Sequence, residues 1–190
     1  LEAFAFWSFT CSQCIKYKID FVLTNVVINV RVPGLVEKSG MGSVQTAGLI
    51  LSTMQLIGIA AGLSFAPLLH YFKENLLTVA GVAFGLTAIM IGLAPNLLLL
   101  SVVTIASGFV YSVSLTAIFH ILSERIPSKS LNQATSIVIL GCSAGATATT
   151  FFLSLISQFS SQASFIFGVL GSLMVLMAVL AFGILKKKSA

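Results

Sequence analysis

The chain has 190 residues, of which 57% are hydrophobic and 8% charged, and its mean hydropathy is +1.07. Soluble domains carry roughly 25% charged residues, so a chain this long and this poor in charge cannot present a water-compatible surface and reads as an integral membrane protein. The net charge of +5 is no nucleic-acid footprint. The charges lie in short clusters between apolar runs, with no basic stripe and no aromatic platform.

In chain order, residues 1–16 come first. They hold the aromatics Phe4, Phe6, Trp7 and Phe9 and a Cys11-x-x-Cys14 pair. They lack the basic start and clean apolar core of a signal peptide and read as a cytoplasmic or interfacial segment. Leu1 in place of an initiator Met predicts a processed product or an excised piece of something longer. A structural zinc site wants four ligands and no second cysteine pair exists, so neither a metal nor a cofactor is expected.

A helix needs about 20 mostly apolar residues to cross the hydrocarbon core. Six runs meet that need: 17–36, 43–72, 75–94, 97–123, 131–157 and 163–185. Pro33, Gly34, Pro95, Asn96 and Pro127 mark several of their ends, since proline removes a helical donor. The predicted fold is therefore all-α, a bundle of six transmembrane helices over residues 17–185 with a basic tail at 186–190.

The charges give the direction. Lys16, Lys18, Lys73, Arg125, Lys129, Lys186, Lys187 and Lys188 all fall on one side if the spans alternate, against Lys38 in the opposite loops and Arg31 inside the first span. Positive charge collects on the inner face, so both termini are expected in the cytoplasm of a multi-pass protein of the plasma membrane.

Two stretches look like weak copies, "EKSGMGSVQTAGLILSTMQLIG" from Glu37 and "ERIPSKSLNQATSIVILGCSAG" from Glu124. Three spans followed by three spans make two inverted repeats, because an odd unit reverses the sense of its copy. The middle helix of each unit carries small residues four apart: Gly58 and Gly62 in one, Gly141 and Gly145 in the other. Such pairs let another backbone approach closely. The same helices carry weakly polar stripes, Gly48, Ser52, Gln55, Gly62 and Ala66 in one, and Ser136, Ser143, Thr147 and Thr150 in the other.

"GCSAG", residues 141–145, has the Gly-x-Ser-x-Gly form of a nucleophile elbow. A serine needs a base within about 3 Å, and the available histidines, His70 and His120, both sit near cytoplasmic helix ends. Ser143 is roughly 18 Å into its helix at 1.5 Å per residue. The motif therefore reads as a packing face, and no catalytic residue is expected.

The chemistry-bearing residues lie elsewhere. Asn25 and Asn29 share a face of the first span and read either as cavity groups or as interhelical glue. Arg31 either meets a polar or anionic solute or snorkels to the outer headgroups. Thr104, Ser107, Tyr111 and Ser114 recur at helical spacing on the fourth span, as a cavity wall would, or as hydroxyls bonding back to their own helix would. Gln55 is a further cavity candidate. His120 and Glu124 read as a proton-sensitive pair or a solvated helix end.

This layout resembles the C-terminal half of a major facilitator superfamily transporter. So do the stretches "VPGLVEKSGMGSVQTAGLILSTMQLIGIAAGL" and "ERIPSKSLNQATSIVILGCSAGA", and the likeness runs from about Tyr17 onward. The family's Gly-x-x-x-Asp-Arg-x-Gly-Arg motif falls on "APLLHYFKE", where His70 stands for the Asp, Tyr71 for the Arg and Lys73 for the Gly. The resemblance implies that the first and fourth spans line a central cavity and that the second and fifth face an N-terminal six-helix half. It further implies alternating access for a small polar or amphipathic solute, with a coupling ion possible. The alternatives are a stand-alone substrate-binding subunit of a vitamin-type importer and a half that no longer transports.

Overall fold

A computed structural model describes the backbone of residues 2–72, 75–159 and 162–189. Expectations that rest on Leu1, Lys73 and Glu74, and on the side chains of residues 2–18, Arg125, Ser128, 157–159 and 180–189, lie outside what is described. These include the Cys11–Cys14 pair, the early aromatics and most of the basic residues that set direction.

The described residues form seven helices: α1 Glu2–Lys38, α2 Val44–Leu63, α3 Phe65–Phe72, α4 Leu76–Gly92, α5 Leu97–Arg125, α6 Ser128–Phe159 and α7 Ala163–Ser189. Four segments are long and apolar enough to cross a membrane: Ile19–Lys38, Val44–Leu63, Leu97–Glu124 and Lys129–Ile156. The pair α3 and α4 passes the same test together but is bent by 109°, and the apolar stretch Ala163–Val179 of α7 is shorter.

Three expectations about helix boundaries differ from the structure. Pro33 and Gly34 do not end α1, which continues through them to Lys38. Residues 2–16 continue α1 toward the N-terminus rather than preceding it. The run 43–72 is two helices, because the ladder stops at Ser64. Pro67 has no N–H to offer the Leu63 carbonyl, and its ring crowds that oxygen. It is tolerated in the first turn of α3, where such donors are free anyway. Ser64 closes α2 by donating both its N–H and its hydroxyl to Ala60 O, at 3.0 and 2.9 Å.

The other ends follow local chemistry. After α1 the chain turns through Gly40 at φ +66°, a left-handed conformation that glycine adopts without a Cβ penalty. Met41 N–H then bonds Val36 O and Gly40 N–H bonds Glu37 O, the paired closure that satisfies orphan carbonyls. Ser43 caps α2 through Thr46 N–H, and Asn96 caps α5 through Leu99 N–H at 2.9 Å.

Packing is organised in three principal pairs, α4 with α7, α2 with α5 and α1 with α6, and α4 also lies along α5. The α4–α7 pair is antiparallel. Gly92 meets Phe167 and Ser164, Gly85 meets Gly171, and Gly81 meets Ala178. The approach is backbone to backbone, for a Cβ on Gly85 would lie 2.8 Å from Gly171 O, and one on Gly171 2.5 Å from Gly85 O. The α2–α5 pair is parallel, since Met54 faces Gly108 and Gly58 faces Ser112, a constant offset. Gly145 of α6 packs on Ile19 and Val22 of α1. Phe21, Phe84, Ile91, Phe167, Leu170 and Met174 fill the core between these seams.

Overpacking a seam costs about 1–3 kcal/mol. Gly171→Ala is expected to destabilise the protein by that amount, read as a lower melting temperature in detergent. Gly62→Ala, where the added carbon meets nothing within 4 Å, is expected to be neutral or mildly stabilising because alanine is the better helix former.

Candidate functional site

Thr24, Asn25, Asn29 and Arg31 of α1 and Thr104, Ser107, Tyr111 and Ser114 of α5 are buried or half-buried, whereas Glu37, Lys38, Ser123 and Glu124 nearer the helix ends are exposed. Phe21 of α1 stacks on Phe84 of α4 with ring centroids 5.3 Å apart, and Tyr111 of α5 lies 6.0 Å from Phe84. These rings form one aromatic layer and put residue 21 of α1 level with residue 111 of α5. Chain direction reverses at the tight turn after α1, and α5 runs parallel to α2, so α1 and α5 are antiparallel. Away from the rings, toward the Lys38 end of α1, residue numbers rise along α1 and fall along α5.

Along α5 the hydroxyls divide into two kinds. Ser107 donates to Thr104 O at 2.6 Å and Ser114 to Val110 O at 2.7 Å, and both serines are buried. They bond their own helix. Thr104 is completely buried, yet its hydroxyl has no partner. Tyr111 is half-buried in the aromatic layer and lies within electrostatic range of Cys142 on α6.

On α1, Asn29 is half-buried and donates from Nδ2 to Asn25 O at 2.8 Å. Asn25 Oδ1 is shielded without a donor, as is the Thr24 hydroxyl, and Arg31 Nε is shielded without an acceptor. Thr24 is only 1% exposed. Nothing in the sequence singles it out, because one threonine in an apolar run carries no periodic signal. A network of unmet hydrogen bonds shows only when the fold is in hand.

The small-residue helices behave differently. In the spans of α2 and α6 only 22% of residues are buried, against 44% in α1 and 39% in α5. Gln55 is exposed on α2, along with Gly48, Ser52 and Gly62, and Ala66 is exposed on α3. On α6, Ser136, Ser143, Thr147 and Thr150 are exposed, with Thr147 donating to Ser143 O. Gly58, Gly141 and Gly145 are turned toward neighbours within the bundle. The two stripes thus look away from the core while glycines on the same helices seal it.

At the far end of α5, His120 Nε2 stands 3.4 Å from Glu124 Oε1. The ring of Phe65 on α3 meets the His120 imidazole edge-on. His70 is exposed on α3. The structure does not bring Ser143 and either histidine into one described contact. Among the described residues no group of three or more His, Cys, Asp or Glu side chains is placed to hold a metal ion.

Long apolar helices, sealed by glycine seams and carrying unmet polar groups on two inner helices, define a polytopic membrane protein. Residues 21–190 match the family model of the Major Facilitator Superfamily, and the chain belongs to that superfamily. Its members are in general membrane transporters and not enzymes. Searches of curated proteins and of solved structures gave no match.

The unpartnered hydroxyl of Thr104 gives a direct test. Replacing a buried, unsatisfied polar group by an isosteric apolar one is near neutral or stabilising. Thr104→Val is expected to leave the melting temperature in detergent unchanged or raised. Thr149→Val loses a bond to Gly145 O and is expected to cost about 1 kcal/mol.

Proposed function

We propose that this chain is one six-span half of a secondary transporter of the plasma membrane, with both termini cytoplasmic. It works by alternating access, rocking against a second six-helix bundle around a solute site near the midplane. In this reading α1, α2 with α3, α4, α5, α6 and α7 are the six spans. Asn25, Asn29, Arg31, Thr104, Ser107, Tyr111 and Ser114 belong to the cavity side, and Gln55 lies on the outward stripe of α2. The stripes of α2 and α6 face the second bundle.

The observation that carries the reading is the exposure of both polar stripes. Hydroxyl and amide groups do not favour lipid, and helices that expose them in a span line a water-filled space or a protein partner. The direction of packing supports six crossings. Parallel α2 and α5 imply one crossing between them, which α4 supplies, and α4 and α7 must then be antiparallel, as they are. The pairing supports the inverted repeat. Exchanging the first three spans with the last three turns the α1–α6 pair into the α5–α2 pair and returns α4–α7 to itself. The basic clusters support the orientation.

The test is labelling in native membranes of the protein as its gene encodes it, with its own cysteines replaced. Ser52→Cys and Ser143→Cys are expected to react with a membrane-impermeant maleimide, while Leu176→Cys on the exposed apolar face of α7 stays unlabelled. If all three remain unlabelled, the stripes face lipid and the half-transporter reading fails.

A further inference from the structure

The ring layer fixes how α1 sits in the bundle. Phe84 is the middle residue of α4 and Tyr111 the middle residue of α5, and both share that layer with Phe21 of α1. Gly145, close to the middle of α6, lies against Ile19 and Val22. The centre of the bundle therefore crosses α1 at residues 19–22, and Asp20 is itself the middle residue of that helix. With only 17 residues, α4 is about 26 Å long at 1.5 Å per residue. A helix so short must be centred in a hydrocarbon core about 30 Å thick, so this layer lies near the membrane midplane.

That register differs from the one hydropathy gives. Length and composition alone put the span of α1 at Ile19–Lys38, whereas packing centres it about two helical turns earlier. Arg31 then lies about 15 Å from the midplane, at the outer headgroup boundary, and Lys16, Lys18 and Asp20 lie within about 8 Å of the midplane. No Lys, Arg, Asp or Glu occurs in 44–72, 76–92, 97–123, 130–159 or 163–185, which leaves those three as the charged residues at this depth. An ionised side chain there is costly unless it is paired. Lys16 and Asp20 are four apart, the spacing at which helical side chains are neighbours. Lys18 is two residues from Asp20, a register about 200° around the helix, on its other side. One formal positive charge is left over at the middle of the bundle.

We infer that Lys18 is the charged contact of the solute site and that the solute is a small anion, whose carboxylate or phosphate balances the ammonium at mid-depth. Asp20 answers Lys16, so the excess belongs to Lys18. A bound anion makes the centre neutral, and a neutral centre is the form that tolerates the withdrawal of water when the site closes to both sides. The inference rests on the transporter reading, in which solute is held near the midplane. Lys18 lies at that level and Arg31 does not.

The experiment is thermal unfolding of the purified full-length protein in detergent, titrated with sodium benzoate and with sodium phosphate against sodium chloride at equal ionic strength. Binding to the folded state raises the melting temperature, and at least one of the two anions is expected to raise it above chloride. Lys18→Met is expected to unfold at a higher temperature than the wild type without added anion, because it removes an unpaired charge. It is also expected to weaken the anion effect at least about 10-fold in concentration, the usual scale for a hydrogen-bonded charge. The double variant Lys16→Met with Asp20→Asn removes a balanced pair on the same helix and is expected to keep the anion effect. The inference is overturned if neither anion acts, or if the shift survives Lys18→Met. It is equally overturned if Lys18→Met leaves the melting temperature unchanged or lowers it, since Lys18 then lies in water or pairs with an acidic residue elsewhere in the protein. Labelling at Ser52 and Ser143 without an anion effect removes the solute class and leaves the transporter reading. A Lys18-dependent anion effect without labelling keeps the site and removes the half-transporter reading.

Discussion

The contact on which the bundle depends is the one between the backbones of Gly85 and Gly171. Within lipid no hydrophobic force drives helix to helix, because the tails are as apolar as leucine. What remains is close packing, and two glycines facing each other let α4 and α7 come nearer than any side chain would allow. Gly81 and Gly92 extend the seam in both directions, and Phe84, Phe167, Leu170 and Met174 fill its flanks. Phe84 then carries the order outward, to Phe21 on α1 and Tyr111 on α5. The helices that hold the orphan polar groups are thus positioned by a seam of close backbone packing, to which the Ser164 hydroxyl adds a bond to Gly92 O at 2.7 Å.

Around that seam the helices divide their work. Outer contacts of α1 and α5 are made by glycine-seated partners, Gly145 under α1 and Gly58 beside Ser112 of α5. That leaves the inner residues of α1 and α5 wrapped by protein and the far sides of α2 and α6 uncovered. The two arrangements place polarity in opposite ways. Thr24 and Thr104 are polar and sealed, whereas Ser52 and Ser143 are polar and open. A membrane protein accepts both only where water, a solute or another protein replaces the lipid.

Much of this was legible in the residues. The runs 97–123, 131–157 and 163–185 sit inside α5, α6 and α7, and 75–94 encloses α4, since long apolar stretches between proline, glycine and capping residues have few ways to satisfy a backbone in lipid. The break at Ser64 was not read, although its cause, Pro67, stands in plain view. A proline inside an apolar run looks the same whether it kinks a helix or starts one. The glycine pairs were visible as spacing, but spacing does not say which face is open. Gly58 meets Ser112 while Gly62, one turn on, meets nothing.

Among the candidate site residues, the sequence by itself determined the supply: asparagines, an arginine and hydroxyls on the first and fourth spans, fixed by hydropathy and helical period. Only the tertiary structure decided which of their polar atoms are left without a hydrogen-bond partner. Ser107 and Ser114 spend their hydroxyls on their own helix, Thr104 and the unheralded Thr24 do not, and Arg31 Nε is shielded without an acceptor. Composition and period are properties of one chain segment. Whether a polar atom has a partner depends on the rotamer it is allowed and on the neighbours that exclude water from it, and those are set by how the helices pack.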